Sequence, residues 1–131
     1  MIYLPYLHIS FMILSVILVI SAAILALKKK PGWFTRHHTI ALLGVLSALL
    51  AFIAEFTFKT AMLYPHIKSP HAIAGVISLV LLIITPISGR MIAANPKRFR
   101  AIHKTLGRIT PVAVVITAAM GIARFIQLSK K

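Results

Sequence analysis

Cysteine is absent from the 131 residues, which excludes disulfides, thiolate-bound zinc and iron–sulfur clusters. Acid is almost absent too. Glu55 alone stands against fifteen Lys and Arg residues, for a formal charge of +14. In a soluble protein that imbalance would point to nucleic acid. Here the basic residues sit in short connectors between long apolar runs, where they orient helices and meet anionic headgroups, so no nucleic acid partner is expected. What the chain has in excess is apolar surface. Sixty per cent of it is hydrophobic, against the roughly 45–50% of soluble domains.

A helix crossing the hydrocarbon core needs about 20 mostly apolar residues. Four stretches qualify: 4–27, 37–60, 70–90 and 101–126. Their short connectors predict an all-α fold, an integral membrane four-helix bundle with up-down antiparallel topology, as one domain over residues 1–131. Lys28-Lys29-Lys30-Pro31-Gly32 stops the first helix, Ser69-Pro70 opens the third, and Asn95-Pro96 marks the last connector. The segment 96–102 reads as a loop or a basic interfacial turn. The first span has no positive segment before it, so it is expected to stay in the lipid bilayer rather than be removed as a signal peptide.

Charge sets the expected orientation. Lys28, Lys29, Lys30, Arg36, Arg90, Lys97, Arg98, Arg100, Lys104 and Arg108 fall on one side, against Lys59, Lys68, Arg124, Lys130 and Lys131 on the other. The positive-inside rule then places the 28–36 and 90–104 connectors in the cytoplasm of a multi-pass cell-membrane protein, with both termini outside.

Histidine is the strongest metal ligand left, and each helix carries one near its start: His8, His37 or His38, His71 and His103. In an antiparallel bundle the odd helices start on one side and the even helices on the other. His8 and His71 therefore form an outer pair, and His37 or His38 joins His103 in an inner one. Positions i+4 and i+7 share a helical face with position i. Below His71 these are Gly75 and Ser78; below His103, Gly107 and Thr110; below His37, Ala41 and Gly44; below His8, the larger Met12 and then Ser15. Small residues there leave a slot for a flat macrocycle, whereas His38 has Leu42 and Val45 below it, which favours His37. Haem fits such pairs because it supplies four equatorial nitrogens itself, whereas zinc would need further ligands and no second acid is available. Two b-type haems are expected, one near each membrane face. Hydroxyls such as Ser10, Thr39 and Ser69 are candidates to fix the imidazole tautomers. Arg36, Lys104 and Arg108 on the inner side, and Lys68 on the outer, are candidates to pair with haem propionates. The competing explanation of the histidines is that they rest at the water–lipid boundary, while small residues let membrane helices pack closely.

HAIAG from His71, TPISGR from Thr85 and HKTLGR from His103 resemble the last two core helices of the cytochrome b561 family. RHHTIALLG from Arg36 and LHISFM from Leu7 are similar to its first two core helices, more loosely. The resemblance implies transmembrane electron transfer through two b haems held by His8 with His71 and by His37 (or His38) with His103, and a reductase activity where a substrate docks. Its partners would be a small-molecule or quinol electron donor or acceptor, or a redox protein; a homodimer stays open. The six helices of many members are cut here to a four-helix core. A second resemblance, to small four-helix proteins of haem–copper oxidase assembly, implies an assembly or anchor subunit of a respiratory complex. Glu55, if it acts as a membrane carboxylate, instead implies a small proton-coupled transporter. Its i, i+4 spacing to Lys59 equally fits an interfacial ion pair.

Overall fold

The computed structural model describes residues 3–130. Four helices follow in order, α1 (Leu4–Lys28), α2 (Trp33–Ala61), α3 (Pro70–Met91) and α4 (Pro96–Ser129), each long and apolar enough to cross a membrane. The architecture is an all-α membrane four-helix bundle. Lys131, counted above among the basic residues, lies outside the described residues.

Local chemistry sets the boundaries. α1 has a proline in its first turn, where the missing N–H would have no partner in any case. It ends where Lys29 turns left-handed (φ 44°) and donates its N–H to the Leu25 carbonyl. Gly32, at φ 73°, then turns the chain into α2, a conformation that costs glycine little. Ser69 caps α3, its hydroxyl accepting from the Ala72 N–H at 3.2 Å. Two starts differ from the sequence expectation. α2 begins at Trp33 rather than 37, and α4 at Pro96 rather than 101. The second difference has a clear cause. Asn95 accepts from the Arg98 N–H at 3.2 Å, so Asn95-Pro96 acts as cap and first helical position. Hydropathy marks where a helix leaves lipid, not where its backbone pattern ends, and the basic first turns of α4 hid that start.

The helices pack mainly as two hairpins, α1 with α2 and α3 with α4. Their interfaces are small and polar, with Ser15, Ala22, Ala48, Ala51, Ser78, Thr110 and Thr117 all buried. Val19, Val45, Leu82 and Val114 fill the centre with Ala48. Large aliphatics such as Ile13, Ile17, Ile53, Ile77 and Val112 are exposed. That inversion suits lipid, in which apolar side chains gain nothing by hiding and close backbone approach drives helix association. Hydroxyls bridge the helices. Ser15 donates to the Gly44 carbonyl at 2.8 Å, Ser78 and Thr117 share a hydrogen bond of 2.8 Å, and Thr85 and Thr110 one of 2.7 Å.

Candidate metal centres

Four histidines meet in two pairs. The rings of His8 (α1) and His71 (α3) have centres 6.4 Å apart, with planes at 80°. Those of His37 (α2) and His103 (α4) are 6.2 Å apart, also at 80°. A metal–imidazole bond is about 2.0–2.1 Å and the nitrogen stands about 1.1 Å from its ring centre, so two imidazoles clasping one ion from opposite sides have centres roughly 6.3 Å apart. Both pairs have the separation that a shared ion would need. His38 is exposed and has no part in either pair.

The tautomers are fixed by backbone. His8 Nδ1 lies 3.0 Å from the Ala51 carbonyl and His37 Nδ1 lies 2.9 Å from that of Ala22. His71 Nδ1 lies 3.1 Å from the Thr117 carbonyl and His103 Nδ1 lies 3.0 Å from that of Thr85. A carbonyl can only accept, so all four Nδ1 atoms carry hydrogen and donate. In the neutral imidazole Nε2 then keeps its lone pair, as a metal ligand requires. The hydroxyls of Ser10 and Thr39 are on exposed residues, and Ser69 is engaged in capping α3. The partner in every case comes from the other helix of the same hairpin. Any sequence can supply a carbonyl, so side-chain reading alone does not find these four.

Numbering exposes an internal two-fold relation. Adding 29 carries His8 to His37 and Ala22 to Ala51, exchanging the two hydrogen bonds of the first hairpin. Adding 32 carries His71 to His103 and Thr85 to Thr117, exchanging those of the second. The same shift of 32 carries the Thr85–Thr110 pair onto Thr117 and Ser78. Both hairpins thus map onto themselves with helices exchanged, as an axis perpendicular to the bundle would do.

The five helical glycines divide into three kinds. A Cβ on Gly107 would meet nothing within 4 Å, and one on Gly75 only a Thr117 methyl at 3.9 Å. One turn below His103 and His71, these are open places along the histidine faces, as a macrocycle slot requires. A Cβ on Gly44 would stand 3.0 Å from Val19 Cγ2, so Gly44 is buried against α1 and serves the helix crossing. Gly89 and Gly121 were not among the expected site residues. A Cβ on Gly121 would come within 2.8 Å of His71 Cε1, and one on Gly89 within 3.0 Å of His103 Cε1. They make room for the rings. Their signal was in the sequence: His71-Gly75-Gly89 and His103-Gly107-Gly121 repeat one spacing, and eighteen residues are five helical turns.

The remaining candidates are peripheral. Arg36, Lys68, Lys104 and Arg108 are exposed. Lys104 joins Pro96, Lys97, Arg100 and Ala101 around a shallow cavity of about 350 Å³. Glu55 pairs with Lys59 at 3.3 Å. Lys59 also donates to the His66 carbonyl at 3.4 Å, and the His66 ring stacks on Phe56 with centres 4.4 Å apart. His66 therefore packs over the end of α2.

The family described as eukaryotic cytochrome b561 has a model that matches residues 7–128, nearly the whole chain. The chain belongs to the cytochrome b561 family. Among curated proteins and among solved structures, nothing matches it. Membership brings transmembrane electron transfer with haem, and oxidoreductase activity across the membrane, to a multi-pass chain of four spans. The residues suit that cofactor. Among the described residues no three of His, Cys, Asp and Glu cluster to hold a bare metal ion. Two imidazoles serve a metal that arrives with its equatorial ligands, and the open glycine faces beside them suit a flat ring.

Proposed function

We propose that this cytochrome b561 protein holds two b-type haems by bis-histidine ligation, one between His8 and His71 and one between His37 and His103, and relays electrons between the two membrane faces. The observation that carries the proposal is the pair of ring separations, 6.4 and 6.2 Å, with every Nδ1 donating to a carbonyl. When bound, haem supplies reversible one-electron chemistry. The chain supplies position. His8 is fourteen residues before Ala22, whose carbonyl marks the height of His37, and His71 is fourteen residues before Thr85, which marks that of His103. Fourteen residues at 1.5 Å each put the two centres about 21 Å apart along the bundle. That divides a core about 30 Å thick into short electron hops.

Gly75 and Gly107 would let a macrocycle lie against α3 and α4. Lys68 beside the first pair, and Arg36, Lys104 and Arg108 beside the second, would pair with propionates in water. The excess of basic residues on the 28–36 and 90–104 connectors supports a cytoplasmic second centre and both termini outside. Donor and acceptor would be small molecules such as a quinol, or a redox protein, docking at opposite faces of a single four-helix domain.

Difference spectroscopy on purified protein tests the assignment. Two b-type haems per chain are expected, with one lost in His71→Ala and the other in His103→Ala. Protein expressed with ample haem that shows no Soret band would sink it, and would return an assembly subunit or a transporter to the front.

A further inference from the structure

Within the second hairpin the two-fold relation makes His71 and His103 controls for each other, and it fails beside His103. Ser88 Oγ lies 3.2 Å from His103 Nδ1 and donates to the Thr85 carbonyl at 2.6 Å. Thr85 is the residue whose carbonyl accepts from the same Nδ1 at 3.0 Å. Ser88 is nearly fully buried. Shifting by 32 gives Met120, which has no hydroxyl to offer His71. His103 therefore has two oxygen acceptors around its N–H, and His71 has the single carbonyl of Thr117 at 3.1 Å.

We infer that Ser88 is a potential-setting residue that lowers the midpoint potential of the centre held by His103. The inference rests on the dihaem reading. Two effects of the hydroxyl oppose each other. Its hydrogen bond to Thr85 draws on the carbonyl that His103 uses, which weakens that acceptor. The same bond polarises the hydroxyl, whose lone pair faces the imidazole N–H as a second acceptor. Coupling between neighbouring hydrogen bonds changes each by about 10–30%, whereas a second acceptor at 3.2 Å, the edge of the normal range, adds a sizeable fraction of a whole bond. The second acceptor wins. Drawing the Nδ1 proton outward makes the imidazole a stronger donor to the metal and favours the more positive, oxidised state. Ser88 touches the ligand and the carbonyl that orients it, so it acts through position and polarity.

Potentiometric titration of the purified two-haem protein, followed in the visible bands, tests this without any turnover assay. Ser88→Ala should raise the midpoint of one haem only, by up to roughly tenfold in the oxidised-to-reduced ratio, tenfold being about 59 mV for one electron. The haem that moves should be the one missing from His103→Ala. Ser88→Thr, which keeps the hydroxyl, should restore the original value. Met120→Ser, which places a hydroxyl three residues after Thr117 as Ser88 stands three after Thr85, should lower the other haem. Ser88→Ala with both haems bound and both midpoints unchanged would overturn the inference, as would a fall or an equal rise of both. If Ser88→Ala does not accumulate, an unmoved midpoint in Met120→Ser overturns it instead. Absence of haem from the unaltered protein would refute the dihaem reading itself, a distinct result.

Discussion

Gly121→Ala puts the packing around a ligand to the test. The added Cβ would lie 2.8 Å from His71 Cε1, 3.3 Å from Nε2 and 3.4 Å from Nδ1. Ordinary contact begins at 3.4 Å, so full relief takes 3.4 − 2.8 = 0.6 Å of ring retreat. Retreat is away from α4, the helix that also carries Thr117. The His71–Thr117 hydrogen bond is already 3.1 Å long. A shift of that size takes it beyond the roughly 3.2 Å limit of a sound N–H···O bond, leaving the imidazole neither fixed in tautomer nor aimed at His8. Loss of a ligand's orienting partner typically weakens metal binding 10–100-fold, or about 1.4–2.7 kcal/mol. The assay is haem titration of the detergent-solubilised protein, with haem per chain from its pyridine complex. The variant should approach one haem per chain at limiting haem, and the survivor should match the haem that remains in His71→Ala. Gly89→Ala, with its closest approach of 3.0 Å to His103 Cε1, should weaken the other centre less. A Gly121→Ala protein that binds two haems with unchanged affinity would refute the argument that this glycine exists to seat the ring.

Four further outcomes are expected. His37→Ala should lose one haem while His38→Ala keeps both, because His38 is exposed and, among the described residues, faces no partner ring; the check is haem content of the two variants side by side. Gly107→Leu should fill the open face below His103 and cut haem content by about half with little change in helicity by circular dichroism, since a Cβ there would meet no neighbouring helix among the described residues within 4 Å. Glu55→Gln removes one partner of a partly exposed pair at 3.3 Å and should cost no more than about 1 kcal/mol, with both haems retained. If electron transfer into vesicles instead collapses in that variant, Glu55 belongs to the relay. Asn95→Ala should cost roughly 1 kcal/mol at the start of α4 by the usual value of a cap, measured by thermal unfolding of the detergent-bound protein, with a smaller loss in Asn95→Asp.

Composition and order alone determine much of this protein. Four apolar runs with basic connectors force four spans, since lipid tolerates no unpaired backbone and helices pair their own. Want of cysteine and of a second acid leaves histidine as the candidate ligand, and alternating helix direction sorts His8 and His71 to one end, His37 (or His38) and His103 to the other. The small residues below the histidines were legible as well, though their uses were not. Gly75 and Gly107 border open space, whereas Gly44, of the same residue type and similar spacing, is spent on the contact with Val19. Helical periodicity gives a face but does not say which neighbour the face meets. Only the tertiary structure decided that the rings stand 6.4 and 6.2 Å apart, that Gly89 and Gly121 yield space to rings on a neighbouring helix, and that four main-chain carbonyls hold the imidazoles. The reason is physical: a carbonyl is common to every residue, so its selection as a ligand's partner depends on where two helices cross and leaves no mark on side-chain identity.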